Sequence, residues 1–336
     1  MEALGEVLVF GAKVLLLVLG LVLVIGAIAK GARRGDESSG QLRVKRLDER
    51  LAKTRLAMRL SMAKKKDRKP LLQAEKKRRL DAVAPKAKAF VLEFDGNMRA
   101  SQVDALREEV TAVLQVAEPG DEVVVKLKSP GGVVYGYGLA SCQLERVRER
   151  GVKLTAVVDQ VAASGGYMMA VVADRIVAAP FAILGSIGVV AGVPNLHRWM
   201  KKHDIDYELV TAGKYKRTLT VFGENTDEGR RKFQEELEAA HALFKAHCVK
   251  YRPALDLDKV ATGEHWFGLD ALGLGLCDQL GTSDDYVGEL AQGREVYEVK
   301  WVAKKRLGDR LGLAVENAMT RVMDRIVGAG EQRNLP

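Results

Sequence analysis

The sequence predicts an α/β domain with largely parallel strand pairing, preceded by an N-terminal helix that crosses a membrane. Between residues 89 and 251, short apolar runs typical of strands alternate with longer amphipathic stretches typical of helices. Such alternation favours a parallel sheet that is covered by helices. The helix prediction depends on residues 14–29, which contain only apolar residues and glycine. A chain of 336 residues is long enough for one sizeable domain with appendages.

The N-terminal segment is predicted to be an uncleaved membrane anchor. Residues 7–29 carry one charge, Lys13, and at about 1.5 Å per residue they span a hydrocarbon core of roughly 30 Å. Residues 27–29, Ala-Ile-Ala, also fit a signal-peptide cleavage site. The absence of a basic cluster before the apolar run and the basic residues from Lys30 onward favour the anchor. The same charges favour a cytoplasmic catalytic domain, with a periplasmic one as the alternative.

The net charge of +9 is concentrated in one part of the chain. Residues 30–90 are crowded with Lys and Arg, whereas positive and negative charges nearly cancel over residues 93–295. We therefore expect the basic segment to face anionic lipid or water, and we expect no nucleic-acid partner. Leucines at 47, 51, 56 and 60 are spaced as one helical face. A helix on headgroups and a solvated linker fit this segment equally well. The predicted organisation is an anchor (1–30), a basic helical stalk (31–86), a folded domain (87–295) and a tail with an amphipathic helix (296–336).

Within the folded domain, each element is predicted from its own pattern. The predicted strands are residues 89–94, 121–127, 152–158, 175–178 and 207–211. The predicted helices are residues 101–116, 137–150, 164–172 and 227–251. Functional groups in open α/β sheets gather where strands end, and three glycine-bearing turns follow strands here.

The first two turns suit acyl transfer. Residues 129–132, Ser-Pro-Gly-Gly, place two glycines after a strand, so that backbone N–H groups are available for an oxyanion; an ordinary tight turn fits them as well. Ser164 lies in Ala-Ala-Ser-Gly-Gly at a strand-to-helix turn. It is either a nucleophile or a simple helix N-cap.

A nucleophilic serine needs a base, and the third turn offers lysine. Residues 211–217 contain Lys214 and Lys216, either of which serves as a base only if burial or neighbouring charge lowers its pKa; a solvent-facing loop is the alternative. The five histidines lie outside any catalytic-looking turn, although a triad needs only to meet in space. The three cysteines, at 142, 248 and 277, lack metal or disulfide spacing and are expected to be buried.

Taken in order, the motifs resemble those of the SppA/SohB family of serine peptidases. They are SPGG (129–132), AASGGYMMA (162–170), GSIGVV (185–190), AGKYK (212–216), GEHWFG (263–268) and GLCD (275–278). Together with the apolar segment, the basic stalk and the phrase KRTLTVFGENTDEGR (216–230), they are most similar to the SohB branch. The resemblance implies a fold of repeated β-β-α units related to Clp protease and crotonase, and a bacterial inner-membrane enzyme with one membrane span.

The resemblance also implies roles for particular residues. Ser164 would be the nucleophile, Lys216 the general base, and Ser186 the hydroxyl that orients the lysine. Backbone N–H groups of Gly131, Gly132 and the Ser164 turn, including Gly165, would form the oxyanion hole. The family needs no metal or nucleotide cofactor. It forms ring-like homo-oligomers in which serine and lysine come from neighbouring subunits.

The expected reaction is hydrolysis of peptides near the membrane, such as signal-peptide remnants, by a Ser164–Lys216 dyad. Two other classes of protein stay open. A crotonase-like acyl-CoA enzyme would depend on a carboxylate, whereas a catalytically silent membrane scaffold would tolerate replacement of Ser164.

Overall fold

A computed structural model describes residues 40–81 and 87–303. The predicted anchor at 1–30 and the predicted amphipathic helix at 307–327 lie outside these residues. No helix within 40–81 or 87–303 is long and apolar enough to cross a membrane. Residues Leu42–Trp301 form one compact unit, and every contact described below lies within it.

The helices and strands follow one another in the alternating order that the sequence predicts. The first elements are β1 (Gly40–Arg46), α1 (Leu47–Met62), α2 (Arg68–Asp81), β2 (Lys88–Asp95), α3 (Val103–Leu114), β3 (Glu122–Lys128), α4 (Val134–Glu149), β4 (Lys153–Val158), β5 (Val161–Ala163) and α5 (Gly165–Ala170). They are followed by β6 (Arg175–Ala178), β7 (Ile183–Gly185), α6 (His197–Lys202), α7 (Asp227–Tyr251), α8 (Leu257–Val260), β8 (His265–Phe267), α9 (Gly268–Gly273), β9 (Gln279–Leu280), α10 (Ser283–Gly293) and β10 (Glu295–Ala303).

A seven-stranded sheet in the order β1-β10-β2-β3-β4-β6-β9 forms the centre of the fold. From β10 to β9 every neighbouring pair of its strands is parallel. The α/β class and the parallel pairing are therefore confirmed. Both faces of the sheet are covered, since Leu92 and Val125 pack in one apolar core and Val91 and Val124, one residue earlier on each strand, pack in another.

The parallel register brings the ends of β2, β3 and β4 to the same edge of the sheet. A second, three-stranded sheet in the order β5-β7-β8 begins there. It is joined to the end of β3 by Ser129, whose N–H donates to Val161 O at 2.8 Å and whose C=O accepts from Ala163 N–H at 3.0 Å. The small sheet therefore holds the turn after β3 beside the turn after β5.

Three sequence expectations differ from the structure. Residues 207–211, predicted as a strand, form no regular element; their large apolar side chains, including Val210, lie exposed with no neighbouring strand to pair with. Strands β1 and β10 belong to the central sheet and begin or end outside the predicted boundaries of 87 and 295. Cys142 is exposed, whereas Cys248 and Cys277 are buried as expected. All three cysteines are unpaired thiols.

Candidate active site

Ser164 occupies a strained turn between β5 and α5. Its backbone has φ +51° and ψ −118°. Residues other than glycine rarely adopt this region, and the conformation costs free energy unless surrounding contacts fix it. Here the Ser164 N–H donates to Gly185 O at 2.8 Å and its C=O accepts from Met168 N–H at 2.9 Å. The half-buried side chain makes no capping hydrogen bond to α5. Ser164 is therefore not a simple N-cap, and its hydroxyl is available for chemistry.

The glycines of the 129–132 turn are packed tightly against the serine turn. Gly131 has φ +93°, and a Cβ there would lie 2.7 Å from Ser164 Cβ and 2.8 Å from Gly165 N. A Cβ on Gly132 would lie 2.1 Å from Met98 O. Because backbone atoms cannot move aside cheaply, only glycine allows this approach.

The N–H groups of this region are not equivalent. The Gly131 N–H donates to Ser129 Oγ at 3.1 Å. The Gly132 N–H has no acceptor within residues 40–81 and 87–303, and the Gly165 N–H opens α5, where no intrahelical acceptor exists. Of the three predicted oxyanion residues, Gly132 and Gly165 therefore carry the unengaged amides.

Ser186 directly follows β7, the strand next to β5, as Ser164 directly follows β5. Ala163 of β5 and Gly185 of β7 are paired in parallel register, so the two serines leave adjacent strands about 4.8 Å apart at the same level. Ser186 also has positive φ, +50°, and its N–H donates to Glu264 O at 2.6 Å. The structure therefore brings together Ser164, Ser186 and the glycine turn.

Lys216 makes no hydrogen bond to this group within the described residues. It belongs to the lysine segment, residues 188–226, whose regular structure is limited to the short α6. Its side chain is exposed, and within the described residues its ammonium forms no ion pair or hydrogen bond with Ser164 or any other group. Lys214, by contrast, pairs with Glu228 at 2.7 Å and lies over the Tyr215 ring.

Two histidines of α7 hydrogen-bond the backbone around the candidate site, which the sequence did not reveal. The His247 ring lies 2.9 Å from Met168 O on the serine helix, and the His241 ring lies 3.2 Å from Ile187 O, next to Ser186. Each must donate from Nε2, since a carbonyl only accepts. Burial lowers the pKa of His247. No histidine hydrogen-bonds Ser164 within the described residues, so the two rings hold backbone in place.

The turn after β3 is also tied to a buried tyrosine, Tyr137, which the sequence likewise did not reveal. Its hydroxyl hydrogen-bonds Ser129 Oγ and donates to Asn97 O at 2.8 Å. Burial raises the pKa of Tyr137, so the hydroxyl keeps its proton at neutral pH. The only sequence signal is the hydroxyl residue that directly precedes Pro-Gly-Gly. Within the described residues no cluster of His, Cys, Asp or Glu could hold a metal ion.

The matching family models and two SohB relatives indicate one family. The model of peptidase family S49 matches residues 146–297, and the model of its N-terminal region matches residues 2–144. A probable protease SohB of Haemophilus influenzae is 44% identical, with 94% of each chain covered. A probable protease SohB of Buchnera aphidicola subsp. Acyrthosiphon pisum is 49% identical over 72% of each chain. Among solved structures, a 1510-N membrane-bound stomatin-specific protease aligns with 61% of this chain and 80% of its own, at 13% identity and a TM-score of 0.37.

Proposed function

The chain belongs to peptidase family S49, and on that premise we propose that it is a membrane-anchored serine endopeptidase that cuts with a Ser164–Lys216 dyad. The observation that carries the proposal is the position of Ser164 beside the double-glycine turn, with a strained backbone and a side chain that does not cap α5. Proposed substrates are membrane-associated peptides such as signal-peptide remnants. The fold we propose is Clp protease/crotonase-like, with residues 1–30 as the anchor.

The proposed reaction is acyl transfer through an ester on Ser164. Neutral Lys216 takes the hydroxyl proton while Ser164 Oγ attacks the peptide carbonyl carbon. The Gly132 and Gly165 amides receive the resulting oxyanion. The C–N bond then breaks, and the proton passes from Lys216 to the departing amine. Water, deprotonated by the same lysine, hydrolyses the ester and restores Ser164. Ser186 holds the lysine by hydrogen bonding.

A lysine acts as a base only where burial or neighbouring charge favours its neutral form, and Lys216 is exposed in one protomer. We therefore propose that a second copy of the chain covers it and that Ser164 and Lys216 of neighbouring subunits share a site. Exposed apolar side chains on both sides of Lys216 support this arrangement. They include Val190, Leu196, Trp199, Leu209, Val210 and Phe222.

The proposed location is the bacterial inner membrane, with the peptidase domain on the cytoplasmic side and the periplasmic side as the alternative. The basic residues that follow the apolar segment support this orientation. Membrane lipid, peptides and further copies of the chain are the proposed partners. Nucleic acid, metal and nucleotide have no place in the proposed mechanism.

The deciding experiment compares the peptidase activity of detergent-solubilised wild type, Ser164→Ala, Lys216→Ala and Lys214→Ala on a fluorogenic apolar peptide. We expect the first two substitutions to lower kcat at least about 1,000-fold. Lys214→Ala is the matched control, since it removes a nearby cation that is already paired with Glu228. Activity that survives Ser164→Ala would overturn the proposal and favour a silent scaffold or carboxylate-dependent acyl-CoA chemistry.

The shared site is tested separately by mixing the two inactive variants. If serine and lysine come from different subunits, co-assembly of Ser164→Ala with Lys216→Ala creates some complete sites and restores part of the activity. Mixtures that stay inactive although mass analysis shows mixed oligomers would contradict sharing and leave the dyad itself intact.

A further inference from the structure

Tyr137 is a fully buried tyrosine of α4 that contacts both turns of the candidate site. A Cβ on Gly165, the first residue of the serine helix, would lie 2.4 Å from Tyr137 Cγ, so the ring packs directly under the start of that helix. The Tyr137 ring also packs edge-to-face against Phe94 of β2, with 6.2 Å between the ring centroids. The ring is thereby fixed between the sheet and the serine helix.

Counting protons gives the hydrogen bonds of Tyr137 a single direction. Its one hydroxyl proton goes to Asn97 O, which can only accept. In the bond with Ser129, Tyr137 must therefore accept and the Ser129 hydroxyl must donate. The Ser129 oxygen in turn accepts the Gly131 N–H. The hydrogen bonds thus form one series: Gly131 N–H donates to Ser129 Oγ, the Ser129 hydroxyl donates to Tyr137, and the Tyr137 hydroxyl donates to Asn97 O. Each of these donors is used.

This series of hydrogen bonds distinguishes the two amides of the glycine turn. Because a peptide unit is planar, the bond from Gly131 N–H fixes the plane of the Pro130–Gly131 peptide. The next amide, that of Gly132, then has no acceptor within the described residues. Without Ser129 and Tyr137, the turn would lose the bond that distinguishes these two amides, and glycine offers little resistance to rotation.

We propose that Tyr137, acting through Ser129, is a positioning residue that sets the glycine turn so that Gly132 N–H is presented to the substrate oxyanion. This inference rests on the proposed peptidase function. Tyr137 touches neither substrate nor Ser164 Oγ in this role. Its contribution is to keep the turn in one conformation before substrate arrives, which matters most when charge develops on the substrate oxygen.

The main test is Tyr137→Phe in the full-length, detergent-solubilised protein. Loss of one oxyanion donor typically costs 100- to 1,000-fold in kcat, and a donor that is mispositioned part of the time should cost about 10- to 100-fold. KM should change less than about threefold, since the ground-state peptide does not need the oxyanion hole. Affinity for a peptide boronic acid, which forms a tetrahedral adduct on the serine, should fall in parallel with kcat.

Tyr167→Phe is the matched control. Tyr167 is also fully buried and also donates to a backbone carbonyl, Leu276 O at 3.1 Å, but it has no bond to the glycine turn. The same atom is removed from a buried tyrosine in each variant, so both variants should lose thermal stability, and only Tyr137→Phe should lose kcat. Equal losses of kcat in the two would overturn the positioning role and indicate general destabilisation.

Ser129→Ala provides an independent route, because it removes one oxygen atom and leaves the Tyr137 ring in place. It tests the same link where Tyr137→Phe does not fold, and we expect a kcat loss of similar size. The double variant should lose no more kcat than the single variant with the larger loss, since both substitutions break the same series of hydrogen bonds. A loss equal to the product of the two single losses would contradict this series.

Failure of the inference is distinguishable from failure of the proposed function. If wild type cuts the peptide and Ser164→Ala does not, the function stands whatever Tyr137→Phe shows. Retained kcat and retained boronic acid affinity in Tyr137→Phe and Ser129→Ala would then overturn the positioning role alone.

Discussion

The serine side of the site, residues 129–187, and the lysine segment, residues 188–226, are built in opposite ways. On the serine side, short strands, tight glycine contacts and backbone hydrogen bonds fix Ser164 and Ser186 within one protomer. The lysine segment has one six-residue helix, and Val190 and Val210 there are 93% and 92% exposed. The protomer therefore holds Ser164, the proposed nucleophile, in a fixed position and leaves Lys216, the proposed base, exposed to solvent.

This difference has a physical reason. Fixing a strained serine costs free energy, which only dense packing on all sides can offset. A lysine in the same packed site would have to lose its charge before the protein folded, at a large desolvation cost. Under the proposed shared site, the position of Lys216 on an exposed segment postpones that cost until a second copy of the chain covers it. The exposed apolar side chains of the segment provide the area for such a contact.

The largest expected effect comes from adding a methyl group to a positive-φ glycine on each side. Gly131→Ala brings Cβ to 2.8 Å from both Ala163 O and Gly165 N, in addition to the strain at φ +93°. We expect a loss of about 3 kcal/mol or more in unfolding free energy, together with loss of activity. Gly213→Ala meets no atom within 4 Å at a similar φ of +95°. It should cost only the strain, about 1 kcal/mol.

Denaturant unfolding of both purified variants checks this prediction. Equal losses would mean that the glycine turn is no more tightly packed than the lysine segment, which would remove the basis of the comparison.

The second comparison truncates an apolar side chain on each side, with an expected effect on stability but not on the strain of a turn. Leu184 of β7 is completely buried, so Leu184→Ala should lower the unfolding free energy by about 2–5 kcal/mol. Val210 is exposed, and Val210→Ala should change the stability of the protomer by less than about 0.5 kcal/mol. If a second copy covers the segment, Val210→Ala should instead weaken oligomerisation in analytical ultracentrifugation. Unchanged assembly would argue against a subunit contact at this position.

Much of the fold followed from sequence because its patterns are local. The buried strands β2, β3 and β4 are continuous apolar runs, and α7 is a long amphipathic helix. Strand β7 has three residues and depends on partners far along the chain, so no local pattern predicts it. Residues 207–211 show the reverse error, since an apolar run predicts a strand only where a neighbouring strand is available.

For the candidate site, sequence indicated which residues to compare but not all of their contacts. Motif order indicated Ser164, Ser186 and the glycines, and the structure brings them together. Sequence could not indicate that the Gly131 amide is already engaged by Ser129, because this depends on Tyr137, eight residues after Ser129 on a helix. Nor could it indicate that Lys216 is exposed. Burial is a property of the assembled surface, and the residue types around Lys216 fit a loop and an interface equally well.

The smallest effect concerns the pH dependence of stability, which should also differ between the two sides. Burial lowers the pKa of His247, which faces Glu145 and Lys250 as well as the Met168 carbonyl. Below the ordinary histidine value of about 6.5, the unfolded chain therefore binds a proton that the folded chain does not. The contribution of His247 to the unfolding free energy should fall as pH drops from 7 towards 5, by at most about 1.4 kcal/mol per pH unit. Glu109, whose pKa burial raises to about 7, contributes with the opposite sign over the same range.

His247→Gln keeps a donor for Met168 O and removes the histidine titration, so its unfolding free energy should fall less than that of wild type between pH 7 and 5. His203→Gln, directly after α6, is the matched control, because His203 is exposed and also hydrogen-bonds a backbone carbonyl, Trp199 O. It should leave the dependence as in wild type. Chemical denaturation at a series of pH values separates the two variants. The opposite result, in which His203→Gln changes the pH dependence of the unfolding free energy and His247→Gln does not, would contradict the comparison. It would place the buried titrating histidine in the lysine segment and not beside the serine side.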